Sequence, residues 1–376
     1  MKIVDLFSGA GGLTFGFLYR VHRNRFVLNK DNHILFANEI NSKAAKAFRI
    51  NFPDTCMIEM GIEELEEKTV KAIIGEETID LVIGGPPCQS FSTVGKRCYD
   101  DRARLYEQYR RLLTIIKPKA FLFENVTGIL TMRDDEGNSV INTIFHQFES
   151  LDESLGYNCY RKTLNAVDFG VPQNRERVFI VGIRDDLNLE WEFPRPRHQR
   201  KITLEDAISD FPVLEAGQEV SEYDKDPQNR FQRLMRDKSK KLSCHFASNY
   251  GDKICTIIRN VKPGEGKNQI NKLVEEGKLE EKYKLTSGYR NSYGRLYKDK
   301  PCTTITHNMS TPSGLRCIHY EQNRALTPRE GARIQSFPDW FQFVGSHSDI
   351  KQQIGNAVPP LLAMAFAERF KEVLEA

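Results

Sequence analysis

The chain has 376 residues, of which 40% are hydrophobic and 28% charged, as expected for a soluble globular protein with one large and one smaller domain. No apolar run approaches the ~20 residues that cross a bilayer, and Asp5 falls where an export signal would be apolar, so we expect neither a membrane span nor export. The eight Cys lack any Cys-x-x-Cys pair. This spacing argues against a zinc site and a disulfide framework, and it favours a reduced, cytoplasmic compartment.

The net charge of +3 says little about partners, but its distribution is uneven. Between Arg184 and Tyr320 there are 25 Lys and Arg against 20 Asp and Glu. A modestly basic segment is compatible with a surface that contacts phosphates, and equally with an ordinary solvated surface.

The first predicted unit is a strand, a glycine-rich turn and a helix. The strand runs from Lys2 to Phe7, the turn reads Phe7-Ser8-Gly9-Ala10-Gly11-Gly12, and the helix runs from Leu13 to Val21. Glycines let a ligand approach the backbone and a helix start offers free N–H groups, as in the first unit of a doubly wound α/β fold. Because the turn is not Gly-x-Gly-x-x-Gly, it indicates a nucleotide-like ligand only weakly by itself.

The next predicted strand, His33 to Ala37, leads into Glu39. An acid at the end of the second strand suits the two ribose hydroxyls of a nucleoside. The alternative is a surface Glu that caps the following helix, Lys43 to Phe48.

A glycine- and proline-rich run follows the short apolar strand Asp80 to Ile83. It reads Gly84-Gly85-Pro86-Pro87-Cys88-Gln89-Ser90-Phe91-Ser92, which places one Cys on a stiff platform. The simplest alternative for any Cys is a small buried hydrophobe, but that role does not need this flank. The run resembles the nucleophile loop of the C5 cytosine methyltransferases, whose signature is Pro-Cys-Gln and which make 5-methylcytosine with S-adenosylmethionine.

The resemblance continues along the chain in the order of that family's motifs. The first turn resembles the cofactor loop, Phe-x-Gly-x-Gly-Gly. Glu124-Asn125-Val126, directly after the apolar run Ala120 to Phe123, resembles the second catalytic motif. Gln173-x-Arg175-x-Arg177, before the strand Val178 to Gly182, resembles the arginine motif, and its alternation predicts that both Arg share one face of a strand.

Three later segments also resemble the family. Pro301 to Thr306 is similar to a Thr-rich turn near the end of its target-recognition region. Thr327-Pro328-Arg329-Glu330 is a capping box that starts a helix and resembles the motif supporting that region. Gln353 to Pro360 is similar to the segment that packs back beside the cofactor loop, and a last helix is expected from Leu361 to Leu374.

One position departs from the family pattern. The family usually has an Asp just before Ile62, where it holds the adenine amino group, and this chain has Gly61 there. Glu59 and Glu63 are both candidates to replace it.

The resemblance implies S-adenosylmethionine as co-substrate, without a metal. The cofactor-binding residues that it implies are Phe7, Ser8, Gly9, Gly11, Gly12, Glu39, Ile62, Pro87, Leu105, Asn356 and Val358.

The resemblance also assigns the chemistry. Cys88 is the expected nucleophile, attacking C6 of the cytosine, and protonated Glu124 holds N3. Arg177 donates to O2, Arg175 stabilises the thiolate or a neighbouring phosphate, and the carbonyl of Pro86 accepts from the N4 amino group. The base must be flipped out of the duplex, and residues 90–97 are expected to close over it.

These features predict a Rossmann-like methyltransferase fold with a second, smaller and irregular domain for target recognition. We expect a catalytic domain at residues 1–183, a target-recognition domain at 184–320 and a return to the catalytic domain at 321–376. The expected function is that of a DNA (cytosine-5-)-methyltransferase of bacterial or phage type, a monomer acting on duplex DNA. It is expected either to belong to a restriction-modification pair with a cognate endonuclease or to be an orphan modification enzyme.

Two rival functions remain open. The branch of the family that methylates tRNA carries a Cys-Phe-Thr motif, which Ser243-Cys244-His245-Phe246 does not match. A regulator that only binds DNA would lack the motif Cys or Glu, and both are present here.

Overall fold

A mixed sheet of eight strands forms the centre of the structure, a computed structural model that describes residues 1–87, 105–152, 155–196, 200–289 and 291–375. The strands of the described chain are β1 (Lys2–Leu6), β2 (Tyr19–His22), β3 (Arg25–Leu28), β4 (His33–Asn38), β5 (Cys56–Ile58), β6 (Leu81–Gly84), β7 (Ala120–Val126), β8 (Ser150–Asp152), β9 (Leu155–Asn165), β10 (Glu176–Arg184), β11 (Gly294–Arg295) and β12 (Arg316–Ile318). The central sheet has the order β5-β4-β1-β6-β7-β10-β9-β8. Its first five strands are parallel, and β10, β9 and β8 continue it antiparallel.

Helices cover both faces of this sheet. The described helices are α1 (Gly12–Leu18), α2 (Ser42–Asn51), α3 (Glu67–Ile74), α4 (Leu105–Ile116), α5 (Val140–Glu149), α6 (Leu204–Ile208), α7 (Arg230–Arg236), α8 (Asp252–Arg259), α9 (Lys267–Glu275), α10 (Pro328–Ile334), α11 (His347–Asn356) and α12 (Pro360–Leu374). The doubly wound α/β class that the sequence predicts is therefore confirmed. No helix in the described ranges has the length and apolar character to cross a bilayer.

Alternation along the central strands supplies two cores, one on each face. In β7, Phe121 and Phe123 join the core that includes α3, α4 and α5, whereas Leu122 joins the core that includes α1 and α12. Neighbouring residues of a strand point to opposite faces, so a continuous apolar run fills both layers.

The C-terminal segment packs beside the first turn, as expected. A Cβ built on Gly16 would lie 2.3 Å from the Cβ of Ala363, so α1 and α12 approach closely. A Cβ built on Gly12 would lie 2.4 Å from the carbonyl oxygen of Val358. Glycine at both positions is what allows residues 357 and 358 to reach the loop after β1.

The expected helix through Val21 is wrong. The helix α1 ends at Leu18, and β2 and β3 form a hairpin, with Val21 opposite Phe26. Arg23 and Asn24 occupy the turn with φ angles of 47° and 61°. A left-handed pair of this kind matches the twist of a two-residue hairpin, and Asn tolerates it. The other predicted helices agree with the structure to within a few residues, and the capping box at Thr327 is confirmed.

The chain between Arg184 and Tyr320 contributes only short elements in its described parts. It holds α6 to α9 and the short strands β11 and β12. Part of it has a small apolar cluster of its own, whereas Leu204, Phe231 and Leu296 belong to the large core that also includes α1. The expected domain boundaries at 183/184 and 320/321 stay a prediction.

Asp5 is a carboxyl buried in the middle of the fold. It lies in β1, has no exposed surface, and its Oδ2 accepts a hydrogen bond of 2.5 Å from the Thr14 hydroxyl. Burial raises the pKa of Asp5 from 3.8 to about 7, while the bond from Thr14 opposes the rise. The folded state therefore holds a proton that the unfolded chain loses at lower pH.

The free energy of unfolding should accordingly fall as the pH rises from about 4 to 7. In Asp5→Asn the contribution of this carboxyl to that fall should be absent. The gap between the two pKa values corresponds to roughly 4 kcal/mol at most. Urea unfolding at several pH values measures the slope. The control is Asp31→Asn, because the hydrogen bond from Lys371 lowers the pKa of this exposed carboxyl instead of raising it. In this variant the free energy of unfolding should still fall between about pH 4 and 7, as in wild type. An unchanged slope in Asp5→Asn would show that the buried carboxyl does not titrate in this range.

Candidate functional site

A cavity of about 560 Å³ opens where the parallel strands end. Its walls come from the loops after β1, β4, β5 and β6, from the end of β7, and from residues 352–358. Such an edge is where doubly wound sheets hold ligands. Most residues predicted for the site line this one cavity, namely Phe7, Ser8, Gly9, Glu39, Ile62, Pro87, Leu105, Glu124, Arg175, Arg177, Asn356, Val358 and Gly12.

One predicted residue of the described chain, Gly11, is not among the wall residues. Gly11 caps the N-terminus of α1 with a φ of 97°, and a Cβ there would lie 2.3 Å from the ring of Phe52. Its glycine is needed for the turn and for this close contact. Cys88 and the segment 90–97 lie outside the described residues, and the chain reaches them from Pro87, a residue of the cavity wall.

The glycine turn and Glu39 face each other across one end of the cavity. The Glu39 carboxyl accepts hydrogen bonds from the backbone N–H of Gly9, at 2.9 Å, and of Asn41, at 2.8 Å. Burial raises the pKa of Glu39, and the backbone donors oppose that rise. The alternative that Glu39 caps α2 is wrong, because the Asn41 side chain accepts from Lys43 and Ala44 and is the cap.

These residues fit a nucleoside cofactor. A Cβ at Gly9 would meet no atom within 4 Å, so the backbone there borders open space in the cavity. Phe7, Ile62 and Leu105 add apolar wall beside the Glu39 carboxyl. A carboxylate next to an apolar slot is suited to bind ribose hydroxyls while a base lies against the slot.

Glu124 lies at the other end of the cavity, held between a glycine and an arginine. A Cβ on Gly85 would come within 2.7 Å of its Oε2, so a glycine there leaves room for the carboxyl. Its Oε1 lies 3.0 Å from Nε of Arg177. Burial raises the pKa of Glu124, against the opposing charges of Arg177 and Arg175. The pKa of Glu124 is thus raised by burial against the pull of two neighbouring positive charges.

The position of Glu124 differs slightly from the expectation. It lies within β7 rather than directly after it, because β10 pairs with β7 as far as Val126. In that ladder Glu124 is opposite Phe179, and Arg177 is opposite Val126. The antiparallel pairing of β10 with β7 thus places Arg177 beside Glu124.

The proline loop is tied to the same strand. The side-chain amide of Asn125 donates to the Pro86 carbonyl at 3.4 Å, and its oxygen accepts from the N–H of Val126 at 2.9 Å. Asn125 therefore links the loop after β6 to the end of β7. Within the described residues no cluster of three or more His, Cys, Asp or Glu could hold a metal ion.

Arg175 has an environment that its motif did not predict. It is 1% exposed, and its guanidinium donates to the carbonyls of Ile305 (2.9 Å), Gly355 (3.0 Å) and Ala357 (2.9 Å). It lies one residue before β10, and its side chain and that of Arg177 both line the cavity. These hydrogen bonds of Arg175 form a clamp that holds together segments that are distant in the sequence. The expected contact of Arg175 with a thiolate or phosphate stays a prediction.

Two glutamines that sequence reasoning did not select complete this clamp. Gln173 accepts from the N–H of Ile305 at 2.7 Å and donates to the Gln335 side chain at 2.8 Å. Gln335 in turn donates to the Ile354 carbonyl at 2.8 Å. We call Gln173, Arg175 and Gln335 the buried junction. Gln173 was visible only as part of the arginine motif, and Gln335 gave no signal in the sequence.

Comparison with known proteins adds independent findings. The chain matches the family model of C-5 cytosine-specific DNA methylase over residues 1–372. It is 36% identical over 372 residues to Type II methyltransferase M1.HphI of Haemophilus parahaemolyticus, covering 98% of this chain and 86% of that protein. It is 34% identical over 391 residues to M.DdeI of Desulfomicrobium norvegicum, covering 100% of this chain and 89% of that protein.

Solved structures resemble the whole chain. A proposed DNA modification methyltransferase encoded within an E. coli prophage superposes with a TM-score of 0.76 at 25% identity, over 100% of both chains. A DNMT2 mutant of Spodoptera frugiperda superposes with a TM-score of 0.55 at 17% identity, over 98% of this chain and 99% of that one. The second similarity is one of fold alone.

The buried junction predicts that Arg175→Lys lowers the free energy of unfolding by about 2 kcal/mol or more. One ammonium group cannot span three carbonyls, and hydrogen bonds to charged groups contribute about 1.5–3 kcal/mol each. Urea unfolding at fixed pH measures the change. Arg177→Lys is the control, since Arg177 bonds only Glu124 and its neighbour Glu176 in the described contacts, and a smaller loss is expected. A wild-type unfolding midpoint in Arg175→Lys would contradict the clamp and favour a purely catalytic role.

Proposed function

The chain belongs to the C-5 cytosine-specific DNA methylase family, and we propose that it acts on a cytosine turned out of the DNA duplex, with Cys88 as nucleophile and Glu124 as acid. Methylation of DNA at cytosine C5 is the activity of this family, so the chain is an enzyme that uses S-adenosylmethionine. The assignment of each step to a residue is the proposal. One observation carries it: the pair of Glu124 and Arg177 shares a cavity with Glu39, the glycine turn and Pro87.

The cofactor supplies an electrophilic methyl group. The Glu39 carboxyl, held by the N–H of Gly9, is placed to bind its ribose, and Phe7 and Ile62 to contact its base. Asn356 and Val358 close the cavity from the segment before α12. These contacts orient the methyl donor toward the end of the cavity that holds Glu124.

Cytosine C5 is too weak a nucleophile to react unaided. The thiolate of Cys88 adds to C6, which breaks the ring's aromaticity and makes C5 an enamine-like carbon. C5 then takes the methyl group, the C5 proton leaves to a base, and the electron pair of that C–H bond expels the Cys88 sulfur from C6 as thiolate. The cysteine ends as it began, and the product is 5-methylcytosine.

Glu124 and Arg177 stabilise the base as its ring becomes electron-rich. Thiolate addition places negative charge on N3 and O2. Protonated Glu124 donates to N3, and the raised pKa of this buried carboxyl keeps the proton available. Arg177 donates to O2, and the Pro86 carbonyl accepts from the N4 amino group, so the site distinguishes cytosine from thymine.

The two rival functions, methylation of tRNA and DNA binding without catalysis, lose support. The relatives that match nearly the whole chain at 34–36% identity are named Type II methyltransferases, whereas the DNMT2 structure is 17% identical. A regulator without catalysis is disfavoured because Cys88 and Glu124 are both retained. The Type II relatives support a further proposal, that the chain is a monomeric, cytoplasmic modification enzyme protecting DNA against a cognate restriction endonuclease.

The covalent step is tested with duplex DNA containing 5-fluorocytosine. Fluorine cannot leave C5 as a proton does, so wild-type protein with S-adenosylmethionine should form an adduct that survives denaturing electrophoresis. Cys88→Ala should give no adduct and no transfer of labelled methyl groups. Cys56→Ala, at an exposed cysteine, is the matched control and should behave as wild type. Turnover of Cys88→Ala above a tenth of wild type would exclude Cys88 as the nucleophile.

The role of Glu124 is tested by Glu124→Gln. The amide is isosteric but has no acidic proton, so single-turnover methyl transfer should slow by ~10²-fold or more. Equilibrium binding of duplex DNA should change little. Loss of DNA affinity together with an unchanged rate at saturation would assign Glu124 to binding instead of chemistry.

A further inference from the structure

Two segments that are distant in the sequence carry a large share of the positive charge. Residues 6–30 contain four Lys and Arg and no acid, and residues 228–241 contain six Lys and Arg and one acid, Asp237. The second segment thus has an excess of five positive charges, which equals the whole excess between Arg184 and Tyr320. The basic character of that region is therefore concentrated in α7 and the residues that follow it.

The hairpin of β2 and β3 lies against α7, so the two basic segments meet. Oδ1 of Asn24, in the hairpin turn, accepts a hydrogen bond from Nε of Arg230 at 3.3 Å. Nε of Arg25 lies 3.6 Å from Oδ1 of Asp237. Positions 230, 233 and 237 follow one stripe of a helix, so Arg233 lies on the side of α7 that faces the hairpin turn. The hairpin and α7 form one continuous surface.

This surface exposes cations and hides its acid. The Asp237 side chain is 3% exposed, whereas the side chain of its partner Arg25 is 75% exposed. Arg236 points away from solvent, since it bonds Asp210 and packs on the ring of Tyr223. We call the remaining exposed cations of the hairpin and of residues 230–241 the basic face, which consists of Arg20, Arg23, Arg25, Arg230, Arg233, Lys238, Lys240 and Lys241.

The basic face is separate from the cavity at the ends of the parallel strands. None of its eight described residues is part of the cavity wall. Helix α1 begins at Gly12, which lines the cavity, and the hairpin begins where α1 ends, roughly 10 Å further along the helix axis. These cations therefore lie outside the groups to which methyl transfer is assigned.

Cations spread along a surface suit a polymer with regularly spaced negative charges. The hairpin strands and α7 each extend roughly 10 Å, and duplex DNA carries one negative charge per about 1.7 Å of its axis. A single small anion could contact only a few of these side chains. Arginine can also bind two phosphate oxygens through parallel hydrogen bonds. Duplex DNA is the polyanion on which this family acts.

We propose that the basic face is a second contact surface for duplex DNA, which binds the phosphates of any sequence. This goes beyond the proposed function, because it assigns affinity for DNA and no chemistry. It rests on that function only in the choice of duplex DNA as the partner. Contacts of this kind raise the rate at which a protein encounters DNA and add sequence-independent affinity, and both effects weaken as salt is added.

The test measures binding of a duplex of about 30 A·T base pairs, which has no cytosine to methylate, by fluorescence anisotropy at several salt concentrations. The double variant Arg23→Gln with Arg233→Gln removes two cations of the basic face. Each phosphate contact contributes about 0.9 to the slope of log affinity against log salt concentration, so the slope should become shallower by about 2. The affinity at ~0.1 M salt should fall about tenfold or more.

The matched control is Lys68→Gln with Lys71→Gln, which removes two exposed cations of α3. Val70 of α3 belongs to one core of the sheet and Phe26 of the hairpin to the other, so these lysines lie on the opposite side of the sheet. The control should keep the wild-type slope. Equal flattening in both double variants would show that net charge alone is responsible, and an unchanged slope in Arg23→Gln with Arg233→Gln would exclude the basic face.

Two further measurements separate this role from others. Both replaced side chains are exposed, so the urea midpoint should stay at the wild-type value, as should the rate of methyl transfer at saturating DNA. A lower rate at saturation would overturn the separation from catalysis. Weaker binding of a single-stranded RNA of the same length, with duplex binding unchanged, would also overturn the proposal. Because the A·T duplex is not a substrate, its binding does not depend on the catalytic roles proposed for Cys88 and Glu124.

Discussion

The Glu124 carboxyl is confined on two sides, by a glycine that leaves it room and by an arginine that bonds it. Gly85 permits an approach that any Cβ would block at 2.7 Å, and Arg177 reaches Oε1 at 3.0 Å. Burial favours the neutral acid while the two nearby arginines favour the anion. The mechanism proposed above depends on these opposing influences, because it asks this carboxyl to donate a proton to the base.

The walls of the cavity depend on the buried junction. Arg175 bonds the carbonyls of Gly355 and Ala357, which flank a residue of the cofactor wall, and that of Ile305, which belongs to the region expected to recognise DNA. Gln173 bonds Ile305 as well. The same side chains thus position both the cavity wall at residues 355–357 and the start of the segment 303–307. A polar network of this kind is stable only when every member is bonded, so the geometry of the two regions is set together.

Much of the site was accessible from the sequence because its residues sit where strands end. Glu39 and Glu124 each follow an apolar run, and the end of a parallel strand is a place that local pattern reveals. The turn after β1 and the capping box at Thr327 are likewise local. Their geometry is decided within a few residues of chain.

What the sequence did not reveal is set by contacts between distant residues. Arg175 was identified by its motif, but its carbonyl partners lie 130 to 182 residues away and a carbonyl carries no residue-specific signal. Glu63 lines the cavity whereas Glu59 pairs with Arg49, and nothing in the local sequence distinguishes these two acids. The sequence predicts helix through Val21, but the left-handed turn at Arg23 and Asn24 pairs Tyr19–His22 with Arg25–Leu28 as a hairpin instead.

The separation of these partners has a consequence for biosynthesis. Residues 352–358 complete a cavity whose other described walls are all made earlier on the ribosome. A nascent chain that has emerged as far as β10 presents Arg175 without the carbonyls that neutralise its burial. We expect such intermediates to hold this arginine in water, so the cavity is completed only when synthesis is nearly finished.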